Sequence, residues 1–252
     1  MGWWHLLHFG AIILVLALTP SSYASDNRSQ IALHIYRGTA PSLAWFTVLC
    51  ALGTLIITRI VVVTALSYGL SQYALQVVIR VLVLELIPMG AALFVTLRCT
   101  LPSALQLAAL RRQEEGAAQP PQGLTLLRTE VLPRVVGGLI ASVTLAALSC
   151  VVALVLAYLA VYGFTVPALP SYTRLFGQVF NPAVTVIFLL KTLLLSLAVS
   201  IIPMAAALQE PRKASVADSP ASRAANAELR VLVRLFAVLI LIEAVCLLGN
   251  YY

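Results

Sequence analysis

Ser42 to Leu66 reads SLAWFTVLCALGTLIITRIVVVTAL, twenty-five residues with a single charge, Arg59. A helix rises about 1.5 Å per residue and a bilayer core is roughly 30 Å thick, so about 20 apolar residues make a crossing. This stretch meets that length. The same texture returns at Val77–Leu97, Val135–Gly163, Ala183–Leu208 and Val231–Gly249, which gives five spans in all. The whole chain agrees: of 252 residues 61% are hydrophobic and 10% charged, with mean hydropathy +0.99, outside the range of soluble domains. The predicted fold class is an all-α integral membrane protein.

The charges between the spans orient them. Arg98, Arg111, Arg112, Arg128 and Arg134 lie between the second and third spans, and Arg212, Lys213, Arg223 and Arg230 between the fourth and fifth. The opposite connections, Tyr68–Gln72 and Phe164–Asn181, hold one basic residue, Arg174. Cytoplasmic loops carry the excess of Lys and Arg, so the basic loops are expected inside and the C-terminus outside, in the periplasm of a bacterial inner membrane. Topology also explains the net charge of +7 without a nucleic-acid partner, since the basic residues cluster in short segments between apolar runs. Tyr68, Gly69 and Ser71 mark a turn.

Residues 1–41 read as an N-terminal apolar helix and linker. Leu6–Leu18 follows Trp3 and Trp4 and precedes Ser-Ser-Tyr-Ala-Ser, a stretch like a signal-peptide cleavage site. No Lys or Arg precedes it, and cleavage before Ser25 would place Arg28 and Arg37 on the wrong side. Two readings stay open, a sixth span or an interfacial helix.

Several chemistries are excluded by motif. No G-x-x-x-x-G-K-[ST] phosphate loop, H-E-x-x-H pair or nucleophile elbow occurs, so the chain is not expected to be an enzyme, and any ATP hydrolysis belongs to a partner. Cys50, Cys99, Cys150 and Cys246 form no short-spaced pair and read as small apolar fillers; no metal or cofactor is expected. His5, His8 and His34 all precede the first clear span, which disfavours a membrane enzyme acting on lipids.

The intramembrane polar residues carry the functional reading. Glu85 lies inside an apolar run, where a charge costs about 2.5–3.5 kcal/mol on insertion scales, so it is expected to face a cavity or a partner. Arg59 in the neighbouring span is a candidate partner; a protonated Glu hydrogen-bonded to a neighbour is the plainer alternative. Lys191 and Glu243 also lie deep in their spans, with snorkelling as the plain account of the lysine. Arg98, Arg134 and Arg230 sit at span ends and are expected to snorkel. Tyr68, Tyr73 and Tyr162 suit the membrane interface. Pro88 and Pro203 interrupt spans, and the carbonyls they leave free must find other donors. Glu114 and Glu115 follow Arg111 and Arg112 on a helix beginning after Pro102, a pattern that by itself describes a solvated face.

In register, these landmarks resemble the MlaE-type permeases of ABC lipid transporters that work with MCE proteins. The family's L-R-E-L-G-P followed by an arginine is similar to Leu84-Glu85-Leu86-Ile87-Pro88 and Arg98, with Leu84 and Ile87 departing. Its paired acidic signature, G-L-D-P and V-P-R are similar to Glu114-Glu115, Gly123-Leu124-Thr125-Leu126 and Leu132-Pro133-Arg134; Gln106 replaces an acidic residue and Thr125-Leu126 the aspartate-proline pair. Its I-K-S is similar to Leu190-Lys191-Thr192, and its last span to Arg230 with Glu243.

The resemblance implies a permease domain over 42–252, with a coupling region at 98–134. It implies ATPase-coupling residues Arg111, Arg112, Glu114 and Glu115, and a lipid cavity near Arg59, Tyr73, Glu85, Lys191 and Glu243. The implied partners are a cytoplasmic ABC ATPase, a periplasmic MCE-domain protein, a second permease protomer and membrane phospholipid. The implied function is movement of phospholipid or a related lipid between the inner membrane and the periplasm or outer membrane. The alternative is a non-transporting scaffold or regulatory subunit, which the departed motif positions favour.

Overall fold

The computed structural model describes residues 3–19, 25–114, 126–208 and 220–251, and each regular element in them is helical. Helix α1 is Trp3–Leu18 and α2 is Ser25–Ser67. After a turn at Gly69, where φ is +71°, a rod α3 runs from Ser71 to Glu114. A second rod, α4, covers Leu127–Tyr162. The short α5 at Leu169–Val179, α6 at Pro182–Leu208 and α7 at Pro220–Tyr251 complete the order.

Five segments are long and apolar enough to cross a membrane: Ile31–Ser67, Tyr73–Arg111, Leu127–Tyr162, Pro182–Leu208 and Glu228–Gly249. They contain the five spans read from the sequence, apart from Gly163 at the end of the third, and mostly extend them. The bundle has a turn end, with Gly69 and α5, and a basic end, with Arg98, Arg111, Arg128 and Arg134.

Both rods change bonding register beside prolines. Wider π-helical turns occupy Ile79–Leu86 and Thr96–Thr100 in α3 and Leu127–Val131 at the start of α4. Each ends two residues before a proline: Pro88, Pro102 and Pro133. Proline lacks an amide and its ring crowds the carbonyl four residues back, so the chain before it relaxes to bonds five residues apart. Ile87 accordingly donates to Leu82, Leu101 to Thr96 and Leu132 to Leu127. By contrast, α6 continues through Pro203.

The linker expected before residue 42 is instead helical from Ser25 and continuous with the first span. At 43 residues α2 is about 65 Å long, more than a bilayer needs, and its early turns are spent packing along α4. Small residues permit this approach. A Cβ at Gly137 would meet the His34 backbone carbon at 3.3 Å, and one at Gly138 would meet Thr100 Cγ2 at 2.8 Å and Ser200 Oγ at 3.0 Å.

Helix α1, a short apolar helix of 16 residues, is about 24 Å long. Its Phe9 and Ile13 pack among Ala104, Leu107, Val131 and Met204 at the basic end. The middle of the bundle is filled by Phe46, Ala92, Leu145, Val199 and Leu239, one from each of the five long helices. At the turn end α5 lays Leu175 and Val179 against the core and leaves Ser171, Thr173 and Arg174 exposed. The Tyr172 hydroxyl donates to the Leu154 carbonyl at 2.9 Å and its ring meets Tyr158 edge-on. Burial, with the nearby Tyr162, pushes that hydroxyl up to about 12, so it remains a donor at any physiological pH.

The glycine spacings generate a paired expectation. Gly138→Ala forces Thr100 or Ser200 to shift and should destabilise the detergent-solubilised protein by about 1–3 kcal/mol. Gly53→Ala meets no atom within 4 Å and should be neutral or stabilising by up to about 1 kcal/mol. Thermal denaturation of the two variants beside wild type checks both signs.

Candidate functional site

Three charged side chains from three spans meet where α3, α6 and α7 converge. Lys191 is 2% exposed, and its ammonium has three protons to give. One goes to Glu243 Oε1 at 2.7 Å, one to Glu85 Oε2 in a closer contact, and one to the Leu84 carbonyl at 3.0 Å. The carbonyl is available for a local reason: Leu84 lies four residues before Pro88, whose missing amide would otherwise have bonded to it. The proline thus prepares one ligand of the lysine, and the π-turn that holds Glu85 prepares another.

Lys191 lies nine residues from the start of α6 and Glu243 eight from the end of α7, roughly 12–14 Å in from the turn end. Both carboxylates are largely covered, with side chains 18% and 15% exposed. At this depth an isolated ammonium would be costly, and the two carboxylates are what make it tolerable. The balance is uneven, two acids to one base. Glu243 Oε2 is buried and has no hydrogen-bond partner among the described residues. Beside the cluster, Glu85, Lys191, Ile187, Phe188 and Cys246 line a cleft of about 10 Å³, room for about one water.

Of the intramembrane residues singled out from sequence, Glu85, Lys191 and Glu243 are therefore brought together, and two are not. The expected Arg59–Glu85 pair does not form among the described residues. Arg59 is exposed, because α2 turns Ile57 and Val61 toward the bundle and leaves Arg59 on its outer side, while Glu85 points to Lys191. Tyr73 is half exposed at the turn end and does not line the cleft.

At the basic end, the Arg111 guanidinium donates to the carbonyl of Leu208, the last residue of α6, and so ties α3 to α6. Arg112 and Glu114 lie on the final turn of the same helix; Glu115 falls outside the described residues. Arg134 does not snorkel as expected. It is 9% exposed and donates to Glu130 Oε2 at 2.5 Å and to the Glu130 carbonyl at 2.6 Å, within the turn that Pro133 distorts. Arg98 and Arg230 are exposed.

The sequence reading passed over Arg80. It is half buried in the wide segment of α3, one turn before Glu85. A second charge in the run Val77–Leu97 was the available signal. Among the described residues no group of His, Cys, Asp and Glu is arranged to hold a metal ion.

Residues 31–248 match the family model described as Permease MlaE, a range that includes every member of the cluster and leaves α1 outside it. No curated protein matches the chain.

Removing the base alone strands two covered carboxylates. Lys191→Met should cost about 3–5 kcal/mol of stability or prevent accumulation of folded protein. Lys191→Met with Glu85→Gln and Glu243→Gln removes all three charges and should recover most of that loss. Thermal denaturation and yield from the membrane decide; a triple variant no better than the single one contradicts the assignment of the cluster as a mutually dependent ion group.

Proposed function

Because the chain belongs to the MlaE permease family, we propose that it is the membrane-embedded subunit through which an ABC-type transporter moves phospholipid between the inner membrane and the periplasm or outer membrane. Family membership makes it a transport subunit rather than an enzyme. The finer reading rests chiefly on the cluster at Lys191: three charges retained inside three different spans, at a cost that packing alone does not repay. That observation favours an active permease over the scaffold reading, because apolar side chains at all three positions would hold a scaffold together as well without burying charge.

A two-tailed lipid needs an apolar pocket of hundreds of Å³, and the cleft beside Lys191 holds about 10 Å³. The lipid chamber is accordingly assigned to the junction of two permease protomers. Two spans have the surface for such a junction: the most apolar windows of Ile31–Ser67 and Glu228–Gly249 are only 17% and 11% buried. The cluster would then lie in the wall of the chamber, where it offers polar contacts to a headgroup. Moving α6 or α7 against α3 changes how much of Glu85 and Glu243 faces that chamber, so the affinity for lipid differs between two arrangements of the helices.

The energy is assigned to a cytoplasmic ATPase docking at the basic end, where Arg111 already joins α3 to α6. Force applied to the helix Leu101–Glu114 passes through that tie into the helix that carries Lys191. An MCE-domain protein is assigned to the turn end, which places the C-terminus in the periplasm.

Affinity purification of the tagged chain from its native membrane in mild detergent, with mass spectrometry of proteins and lipids, tests the assembly. An ABC ATPase, an MCE protein and phospholipid are expected together; recovery without an ATPase moves the assignment to the scaffold. In the reconstituted complex, Glu114→Arg should leave ATP hydrolysis running while lipid movement falls by an order of magnitude or more, measured as ATPase rate against transfer of fluorescent phospholipid.

A further inference from the structure

The Lys191 cluster is one positive charge short. Two carboxylates meet one ammonium, and neither helix that carries Lys191 or Glu243 brings a further base to them. Among Asp, Glu, Lys, Arg and His, Lys191 stands alone between residues 182 and 208 and Glu243 alone between 235 and 250. The other charges within this half of the spans are Arg80, one turn before Glu85, and Arg59, on the outer side of α2; neither forms an ion pair among the described residues. Cys246, one turn on from Glu243, borders the cleft with a thiol rather than a base.

The hydrogen bonds run out at the same place. Lys191 gives its three protons to Glu243 Oε1, Glu85 Oε2 and the Leu84 carbonyl, so it has none left for Glu243 Oε2, which is buried and unpartnered. Were both acids ionised, that oxygen would carry charge where no donor answers it, and the group as a whole would hold a net negative charge inside an apolar bundle. Both acids also bond to one nitrogen, which brings their bonded oxygens within about 6 Å of each other, near enough for each charge to oppose the other. A proton on Glu243 removes both faults. It leaves one carboxylate for one ammonium and turns the unanswered oxygen into a hydroxyl, which is far less costly to bury than a charge. Glu85 is the better seat for the remaining charge: it makes the closer contact with Lys191, and it borders the cleft, which has room for about one water.

We propose that the cluster is a proton-binding site, in which Glu243 carries one proton at neutral pH while Glu85 stays ionised as the counter-ion of Lys191. When α7 parts from α3 and α6 and water reaches Glu243, the residue becomes an ordinary carboxyl and releases its proton. Opening of the bundle and proton release are thereby linked. The site rests on the cluster alone and stands or falls independently of lipid transport.

Infrared spectroscopy of the full chain in maltoside micelles, which hold no ester carbonyls to mask the signal, reads protonated carboxyls through a carbonyl band that shifts in D2O. Wild type at neutral pH should show the band of one buried carboxyl, and E243Q should lose it. E85Q should lose it as well, since Glu243 is then the one acid facing Lys191 and ionises. E243Q replaces a neutral carboxyl by an amide of the same shape, so it should accumulate and melt as wild type does. Absence of the band from wild type, its persistence in E243Q or E85Q, or failure of E243Q to fold overturns the proposal. Exchanging potassium for sodium in the buffer should leave the band unchanged; its loss would identify a metal cation as the compensating charge and overturns the assignment to a proton.

Discussion

The bond from the Lys191 ammonium to the Leu84 carbonyl is the constraint around which the membrane bundle is arranged. It joins a lysine to a backbone group that is free only because Pro88 follows four residues later. A carbonyl left without a partner in a bilayer is unfavourable, an unpaired ammonium more so, and here each answers the other. The two carboxylates then fix which face of α3 and of α7 must meet α6. Relative rotation of three spans, which apolar contacts between smooth helices define poorly, is set by hydrogen-bonding groups that have no substitute nearby.

The same logic runs through the prolines. Three of them follow a stretch in which the helix has opened to a wider turn, and two of those stretches carry an acid that meets a base: Glu85, the partner of Lys191, before Pro88, and Glu130, the partner of Arg134, before Pro133. A wide turn re-aims the side chains within it without breaking the rod. Glu85 is thereby directed inward from a helix that still presents apolar surface to lipid.

The sequence made the spans legible because hydrophobic length is a one-dimensional property: Ser42–Leu66 and its four counterparts need no knowledge of neighbours. It also exposed Glu85, Lys191 and Glu243, since a charge in an apolar run stands out wherever its partner is. Pairing was not legible. Arg59 and Glu85 are opposite charges in adjacent spans, yet which side of α2 faces the bundle depends on how Ile57 and Val61 pack, and that is a three-dimensional fact. Arg134 looked like a snorkelling residue at a span end for the same reason; its partner, Glu130, lies one distorted turn away. The helical character of 25–41 was hidden by its mixed polarity and by Pro41, and packing along α4 accounts for it.

The cluster also sets a problem of timing. Glu85 and Lys191 are separated by 106 residues, and Lys191 and Glu243 by a further 52. At a synthesis rate of about 5–20 residues per second, Glu85 waits on the order of 5–20 seconds after it emerges before its base is made, and Lys191 a few seconds more for its second acid. During that interval α3 is completed and α4 is made, while α6 has barely begun and α7 is still to come. Biogenesis must therefore shelter an unmatched carboxylate, at the protein-lined channel that inserts the spans or at its lipid boundary, until the later helices arrive to close around it.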